Sequence, residues 1–279
     1  MKNLIKFTIN SLKSVINSDK RFIRLTPNTR GVVYFYDKRH KKIFKIFVRE
    51  IIDSITADQI FTNNDYDLNF LQRHNDLTIF YENTISKKKT PLIIDCGANI
   101  GLSSLLFAKD FPLAKIISLE PEKNNYKMMQ KNCMELDNIE MLNKAISSIN
   151  GFVSIDNKKT DNNAFRTNRN KNNQGDIESI SINKILSNNK AFVPFLVKID
   201  IEGFEDDLFS KNTSWVKKFP LLIIETHDWM LPCQANSNNF LRIISNQNRD
   251  FIHKGENIFS ISNTLDFGSK PFFQSQRER

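Results

Sequence analysis

Short unbroken apolar runs alternate with stretches of helical spacing along this chain, most clearly from Pro91 onward. Leu92 to Asp95, Ile116 to Leu119, Ile139 to Leu142, Phe195 to Ile201 and Leu221 to Glu225 read as strands. Gly101 to Lys109, Lys123 to Leu136 and Asn238 to Gln247 read as helices. Strands that are apolar throughout belong to a parallel sheet covered on both faces. Right-handed crossovers then restrict the topology to the doubly wound α/β class. The pattern closes with an antiparallel hairpin, Phe251 to His253 with Ile258 to Ile261.

Residues 1–90 read as a smaller α+β extension. Val32 to Tyr36 and Ile43 to Val48 predict a hairpin across the basic turn Asp37 to Lys42, and about Leu68 to Ser86 predicts a helix. Met1 to Asp19 predicts an amphipathic helix, with Leu4, Ile5, Leu12, Val15 and Ile16 on one face and Lys2, Lys6, Lys13 and Asn17 opposite. Such a helix docks on its own protein or lies on an anionic membrane surface. Lys6, Asn10 and Lys13 interrupt it too often for a secretory signal. Lys87 to Pro91 then breaks the chain before a main domain expected over residues 91–265, with a tail over 266–279. Within that domain Gly151 to Ile155 predicts an extra strand. The Asn-, Lys- and Asp-rich stretch Lys158 to Gly175 predicts a surface loop or a substrate lid.

Composition refines this picture only a little. A chain of 279 residues that is 40% hydrophobic and 25% charged suits one large globular domain with an appendage. No apolar run approaches the roughly 18 residues of a membrane-spanning helix. The net charge of +9 (40 basic against 31 acidic residues) would favour polyanions, but it is dispersed, so no specific nucleic-acid partner is expected. Cys96, Cys133 and Cys233 form no CxxC pair and cannot all pair with one another. They point to a reducing, cytoplasmic compartment, where contact with the inner membrane face would go through the first helix.

Leu92-Ile93-Ile94-Asp95-Cys96-Gly97-Ala98-Asn99-Ile100-Gly101 carries the first chemistry. An apolar strand delivers Asp95, and a glycine turn at Gly97 lets a ligand approach the backbone closely. The helix that follows offers unpaired N–H groups. Asn99 stands where a dinucleotide fingerprint requires glycine, so a pyrophosphate fits poorly. The next strand ends in Glu120, an acid placed to accept from ribose hydroxyls. A nucleoside-containing cofactor follows from the combination.

Val197 to Glu205 carries the second. On a strand, Lys198, Asp200 and Glu202 would share one face, and three charges are tolerable only where the strand emerges at the ligand crevice. Glu205, Asp206 and Asp207 open the next helix and would complement its dipole. Glu225 and His227, two apart at the end of the fifth strand, are expected near the crevice mouth. No cluster with metal-ligand spacing stands out, although Asp200, Glu202 and Glu225 could converge on one ion.

Together these segments resemble the FkbM-type family of S-adenosylmethionine-dependent methyltransferases. The carrying residues are Ile94 to Gly101, Glu120-Pro121 with Asn125, and Lys198-Ile199-Asp200-Ile201-Glu202-Gly203-Phe204-Glu205. Ala145 to Gly151, Ile180 to Leu186, Ile223 to Glu225, and Gln59-Ile60-Phe61 with Asp65-Tyr66-Asp67 support it. The resemblance implies a Rossmann-like class I methyltransferase sheet. It also implies S-adenosyl-L-methionine as cofactor and methylation of an oxygen on a sugar, glycan or natural product. By position, Asp95, Gly97, Asn99, Gly101, Glu120 and Ala145 would bind the cofactor. Asp200 and His227 are candidates for the general base, and Glu202 and Glu225 would face the acceptor. Cys96 and Phe204 depart mildly from the family pattern; Phe204 would narrow the acceptor pocket. Two other readings remain. An RNA methyltransferase would fit the charge, but no NPPY-like tetrapeptide is present and Cys233 lacks the motif of a nucleophile. A non-catalytic module would keep the fold as a binding platform.

Overall fold

The computed structural model describes residues 18–156, 166–168 and 176–268. The helix expected over Met1 to Asp19, nearly all of Lys158 to Gly175 and most of the tail lie outside the described residues.

The N-terminal extension begins with an antiparallel sheet of β1 (Phe22–Arg24), β2 (Gly31–Asp37) and β3 (Lys42–Val48). Helix α1 (Ile51–Ala57) runs straight into a π-helical turn, Asp58–Thr62, and α2 spans His74–Ser86. The hairpin is as the sequence implied; β1, α1 and the π turn are additions. Helix α2 starts at His74 rather than Leu68. The backbone before it closes two tight turns, with Leu71 N–H donating to Leu68 O and His74 N–H to Leu71 O.

The main domain follows as β4 (Thr90–Cys96), α3 (Leu102–Asp110), β5 (Lys115–Leu119), α4 (Lys123–Cys133) and β6 (Ile139–Leu142). A small second sheet comes next, built from β7 (Ala145–Ile146), β8 (Gly151–Asp156), β9 (Arg166–Asn168) and β10 (Ile177–Ile180) in the order β7-β10-β8-β9. Helix α5 (Ile182–Asn188), β11 (Phe192–Ile199), α6 (Glu205–Ser210), a 3-10 turn at Thr213–Lys218, β12 (Leu221–Glu225), α7 (Asn238–Ser245), β13 (Arg249–Lys254) and β14 (Asn257–Ser262) complete it.

The seven-stranded sheet has the order β13-β14-β12-β11-β4-β5-β6, and β14 runs antiparallel to both neighbours. The other pairings are parallel. This is the doubly wound sheet with a closing hairpin that the apolar runs imply. Alternation within each strand serves the two faces. Ile93, Ile116, Leu221, Ile223, Phe259 and Ile261 pack with the N-terminal extension, α3 and α4. Leu92, Ile94, Ile117, Leu222 and Ile224 pack with α5, α6 and α7. From β4 the chain winds outward through β5 and β6, then returns to the other side of β4 as β11. The carboxyl ends of β4 and β11 are therefore the switch point where ligands bind in such sheets.

One buried cation holds the hairpin end. Arg249, 8% exposed, donates to Ser260 Oγ and to the carbonyls of Val216, Phe219, Pro220 and Ser260 at 2.7–3.3 Å. Arg249→Lys cannot reach all five acceptors. It should cost about 3 kcal/mol and lower the melting temperature by roughly 6–12 °C, measured by thermal circular dichroism.

Candidate active site

The turn after β4 passes through Gly97 at φ 77°, Asn99 at φ 51° and Gly101 at φ 88°. Gly97 and Ala98 N–H both donate to Leu119 O, at 3.0 and 2.9 Å, which staples the turn to the end of β5. A Cβ on Gly97 would lie 1.7 Å from Asp200 O, so the crossing of β4 and β11 requires glycine there. A Cβ on Gly101 would meet Cys133 Sγ at 2.8 Å and Met129 Cγ at 3.0 Å, so this glycine serves the packing of α4.

Asp95 and Gly101, expected beside the cofactor, line neither cavity described below. Asp95 is fully buried; its Oδ2 accepts from Ser103 Oγ and Ser104 Oγ, each at 2.6 Å, and its Oδ1 lies 3.3 Å from Lys198 Nζ. It braces the turn from behind.

A narrow cleft of about 40 Å³ is lined by Gly97, Asn99, Glu120, Asn125, Ala145, Asp200 and Glu202, among others. Glu120 is the lining carboxylate at the end of β5. Its Oε2 accepts from Asn99 N–H at 2.9 Å, and its Oε1 from Glu122 N–H at 2.9 Å and Asn125 Nδ2 at 3.4 Å. Burial, only partly offset by these donors, pushes its carboxyl up to about 7. Asn99 Oδ1 and Asn125 Oδ1 are buried without a hydrogen-bond partner, two acceptors awaiting donors.

The cleft shares Gly97, Asn99, Asp200 and Glu202 with a cavity of about 510 Å³. Lys198, Glu225 and His227 line this larger space from the sheet. Gln59, Ile60, Asp65 and Tyr66 line it from the N-terminal extension, so the π turn forms part of its wall.

The expectation that Lys198, Asp200 and Glu202 share one strand face does not hold. Strand β11 ends at Ile199, and Glu202 at φ 55° turns the chain back before α6. Convergence comes from that turn instead. Lys198, 2% exposed, donates to Gly97 O at 2.7 Å and lies 3.2 Å from Asp200 Oδ2. Burial works against its ammonium, but Asp200, Tyr66 and Asp95 outweigh it and keep the group charged.

His227, 1% exposed, is the hub. Its Nδ1 is 2.9 Å from Glu205 Oε1, and its Nε2 lies 3.6 Å from Asp200 Oδ1, 3.7 Å from Glu202 Oε2 and 3.6 Å from Glu225 Oε1. Burial alone would lower its pKa; Glu205, Asp200 and Glu202 reverse this and bring it to about 9. Burial and the Asp200 charge push Glu202 to about 7 and Glu225 to about 8. Glu205 is the residue that sequence reasoning missed. Rather than merely complementing a helix dipole, it is buried, accepts from Ile201 and Gly203 N–H at 3.3 Å and orients His227.

A doubly wound sheet with an antiparallel strand set inside its edge and a glycine turn at the switch point defines a Rossmann-like class I methyltransferase. The family model described as "Methyltransferase FkbM domain" matches residues 95–252, more than half of the chain, and the chain belongs to that family. The methyltransferase sdnD of Sordaria araneosa is 35% identical over 68 residues, 23% of this chain. The match spans about a quarter (26%) of that relative's length. Among solved structures, a methyltransferase from Geobacter sulfurreducens is 11% identical with a TM-score of 0.34, over 74% of this chain and 87% of that one. M. capricolum TrmK, in complex with S-adenosyl-homocysteine, is 12% identical with a TM-score of 0.33, over 66% of this chain and 70% of that one.

Proposed function

We propose that this chain transfers a methyl group from S-adenosylmethionine to a hydroxyl oxygen of a small-molecule or glycan acceptor, such as a sugar, glycolipid or natural product. The carrying observation is the pair of joined cavities. One presents Glu120 with the unpaired Asn99 and Asn125 oxygens; the other has a carboxylate-lined floor. Ribose hydroxyls and amino groups are the donors that such orphan acceptors lack, so the residues fit the cofactor.

S-adenosylmethionine supplies a methyl group on a sulfonium, ready for in-line displacement. The protein's share is placement, which accounts for about 7–11 kcal/mol in well-oriented reactions. Glu120 accepts from the ribose, and the Gly97 turn allows close backbone approach. Asp200, at the seam of the two cavities, takes the proton of the acceptor hydroxyl. His227 is less suited to that role, because its acid neighbours keep the imidazole protonated near neutral pH. Together with Lys198 it holds Asp200 in place. The N-terminal extension caps the acceptor side. The free thiols Cys96, Cys133 and Cys233 support a cytoplasmic setting, with peripheral contact at the inner membrane face through the first helix, and the dispersed basic charge supports no specific nucleic-acid partner. No helix among the described residues is long and apolar enough to cross a membrane.

The test is transfer of labelled methyl from S-adenosylmethionine to candidate sugars, glycans and glycolipids, with S-adenosylhomocysteine binding by calorimetry. Absence of both binding and transfer would remove the proposal. Glu120→Gln should weaken S-adenosylhomocysteine about tenfold, a loss of ~1.4 kcal/mol. Because the charged acceptor form of Glu120 is lost as the pH falls through about 7, affinity in the parent protein should decline there. The Gln variant should show no such step.

A further inference from the structure

We infer that Asp200, Glu202 and His227, with Glu225 in reach as a fourth ligand, form a site for one divalent cation of the oxygen-preferring Mn²⁺ or Mg²⁺ class. One ligand atom from each of Asp200, Glu202 and His227 lies within 4.8 Å of the others. Carboxylates alone would be a weak argument, and the imidazole makes the difference. His227 is 1% exposed, its Nδ1 is committed to Glu205, and its Nε2 points into the carboxylates with no hydrogen-bond partner among the described residues. A backing carboxylate that fixes the ring for its other nitrogen is the usual support of a metal-bound histidine.

The spacings point the same way. A charge-assisted N–H···O bond closes to about 2.7–2.9 Å, whereas three separate carboxylates stop at 3.6–3.7 Å from Nε2. Ligands sharing an ion at about 2.1 Å sit roughly 3–4 Å from one another. Three acids crowd one imidazole, and a divalent ion would take the place of the protons that this crowding otherwise holds there. Carboxylates favour Mg²⁺ or Mn²⁺, and one imidazole is compatible with Mn²⁺.

The role of such an ion rests on the methyl-transfer reading. It would take the acceptor hydroxyl as a further oxygen ligand in the larger cavity and lower that hydroxyl's pKa, easing proton loss to a free lone pair of Asp200. Binding itself does not depend on that reading.

The test is a titration of the full chain, stripped with chelator, with Mn²⁺ followed by electron paramagnetic resonance. One saturable site is expected, with ¹⁴N modulation from the imidazole that disappears in His227→Ala. Glu202→Gln, at a partly exposed position that folding tolerates, should weaken Mn²⁺ at least about tenfold. Glu135→Gln, at a side chain 77% exposed on the surface, should not. Uptake without saturation, or equal Mn²⁺ affinity in Glu202→Gln and the parent, overturns the site. S-adenosylhomocysteine calorimetry runs alongside. If the nucleoside binds and Mn²⁺ does not, the cation site is overturned and the methyl-donor reading stands; if Mn²⁺ binds and the nucleoside does not, the site is supported and the donor reading is counted against.

Discussion

Replacing Gly97 with alanine is expected to cost about 3–5 kcal/mol, combining the left-handed backbone with overpacking at the strand crossing. Turnover should fall by at least about a hundredfold in the protein that still folds, since a displacement of about 1 Å at a reacting group suffices for that loss. The cause is local: φ is 77°, and the new methyl would sit 1.7 Å from the carbonyl oxygen of Asp200. Relief requires moving Asp200, the group that faces both cavities. Gly31→Ala is the control, because Gly31 also has a positive φ of 98° but nothing within 4 Å of its Cβ. It should lose only about 1–2 kcal/mol from backbone strain and keep its turnover. Thermal melts and labelled-methyl assays on both variants decide the matter. If Gly97→Ala behaved like Gly31→Ala, the crossing would not be the constraint that fixes Asp200.

The parallel strands were legible because each lies in a sheet buried on both sides, so continuous runs such as Ile93-Ile94 and Leu222-Ile223-Ile224 leave few alternatives. Where geometry depends on a turn or a distant partner, the sequence was silent. Glu202 reads as a strand residue by its alternation with Asp200, and only its positive φ shows that the strand has ended. Glu205 looks like an ordinary first-turn acid until His227, 22 positions later, arrives beside it. Asp95 sits at the right place in the motif, yet Ser103 and Ser104 claim it from the inside. Helix α1 and the π turn carry β-branched residues at no clean period, and their helical form comes from packing Ile60 and Phe61 into the core. That tertiary origin hid the Gln59–Tyr66 wall of the acceptor cavity. A π-helical turn at such a place is common at functional sites. Of the small second sheet, β8 is legible as the extra strand from Gly151, whereas β7 and β10 escaped because they have two and four residues, too few to establish a period.

Asp200→Asn separates the two duties that the geometry gives this carboxylate. As proton acceptor, its loss should lower kcat by about 10²–10⁴-fold, the usual share of a general base. S-adenosylhomocysteine affinity should stay close to that of the parent, because Glu120, Asn99 and Asn125 remain. The fold should tolerate the change: the Asp200 side chain is 25% exposed, and Lys198 keeps Gly97 O at 2.7 Å and Asp95 at 3.3 Å. The proposed cation also touches Asp200, so a second variant distinguishes holding an ion from taking a proton. In Glu202→Gln, raised Mn²⁺ should restore most of the lost turnover, since only occupancy has suffered. In Asp200→Asn the same Mn²⁺ should restore little, because no ion supplies the missing proton acceptor. Single-turnover transfer from labelled donor, across an Mn²⁺ series for each variant, gives both answers. Near-parent turnover in Asp200→Asn would move the base elsewhere in the cluster, to Glu225 first, since its carboxyl, raised to about 8, still lines the acceptor cavity.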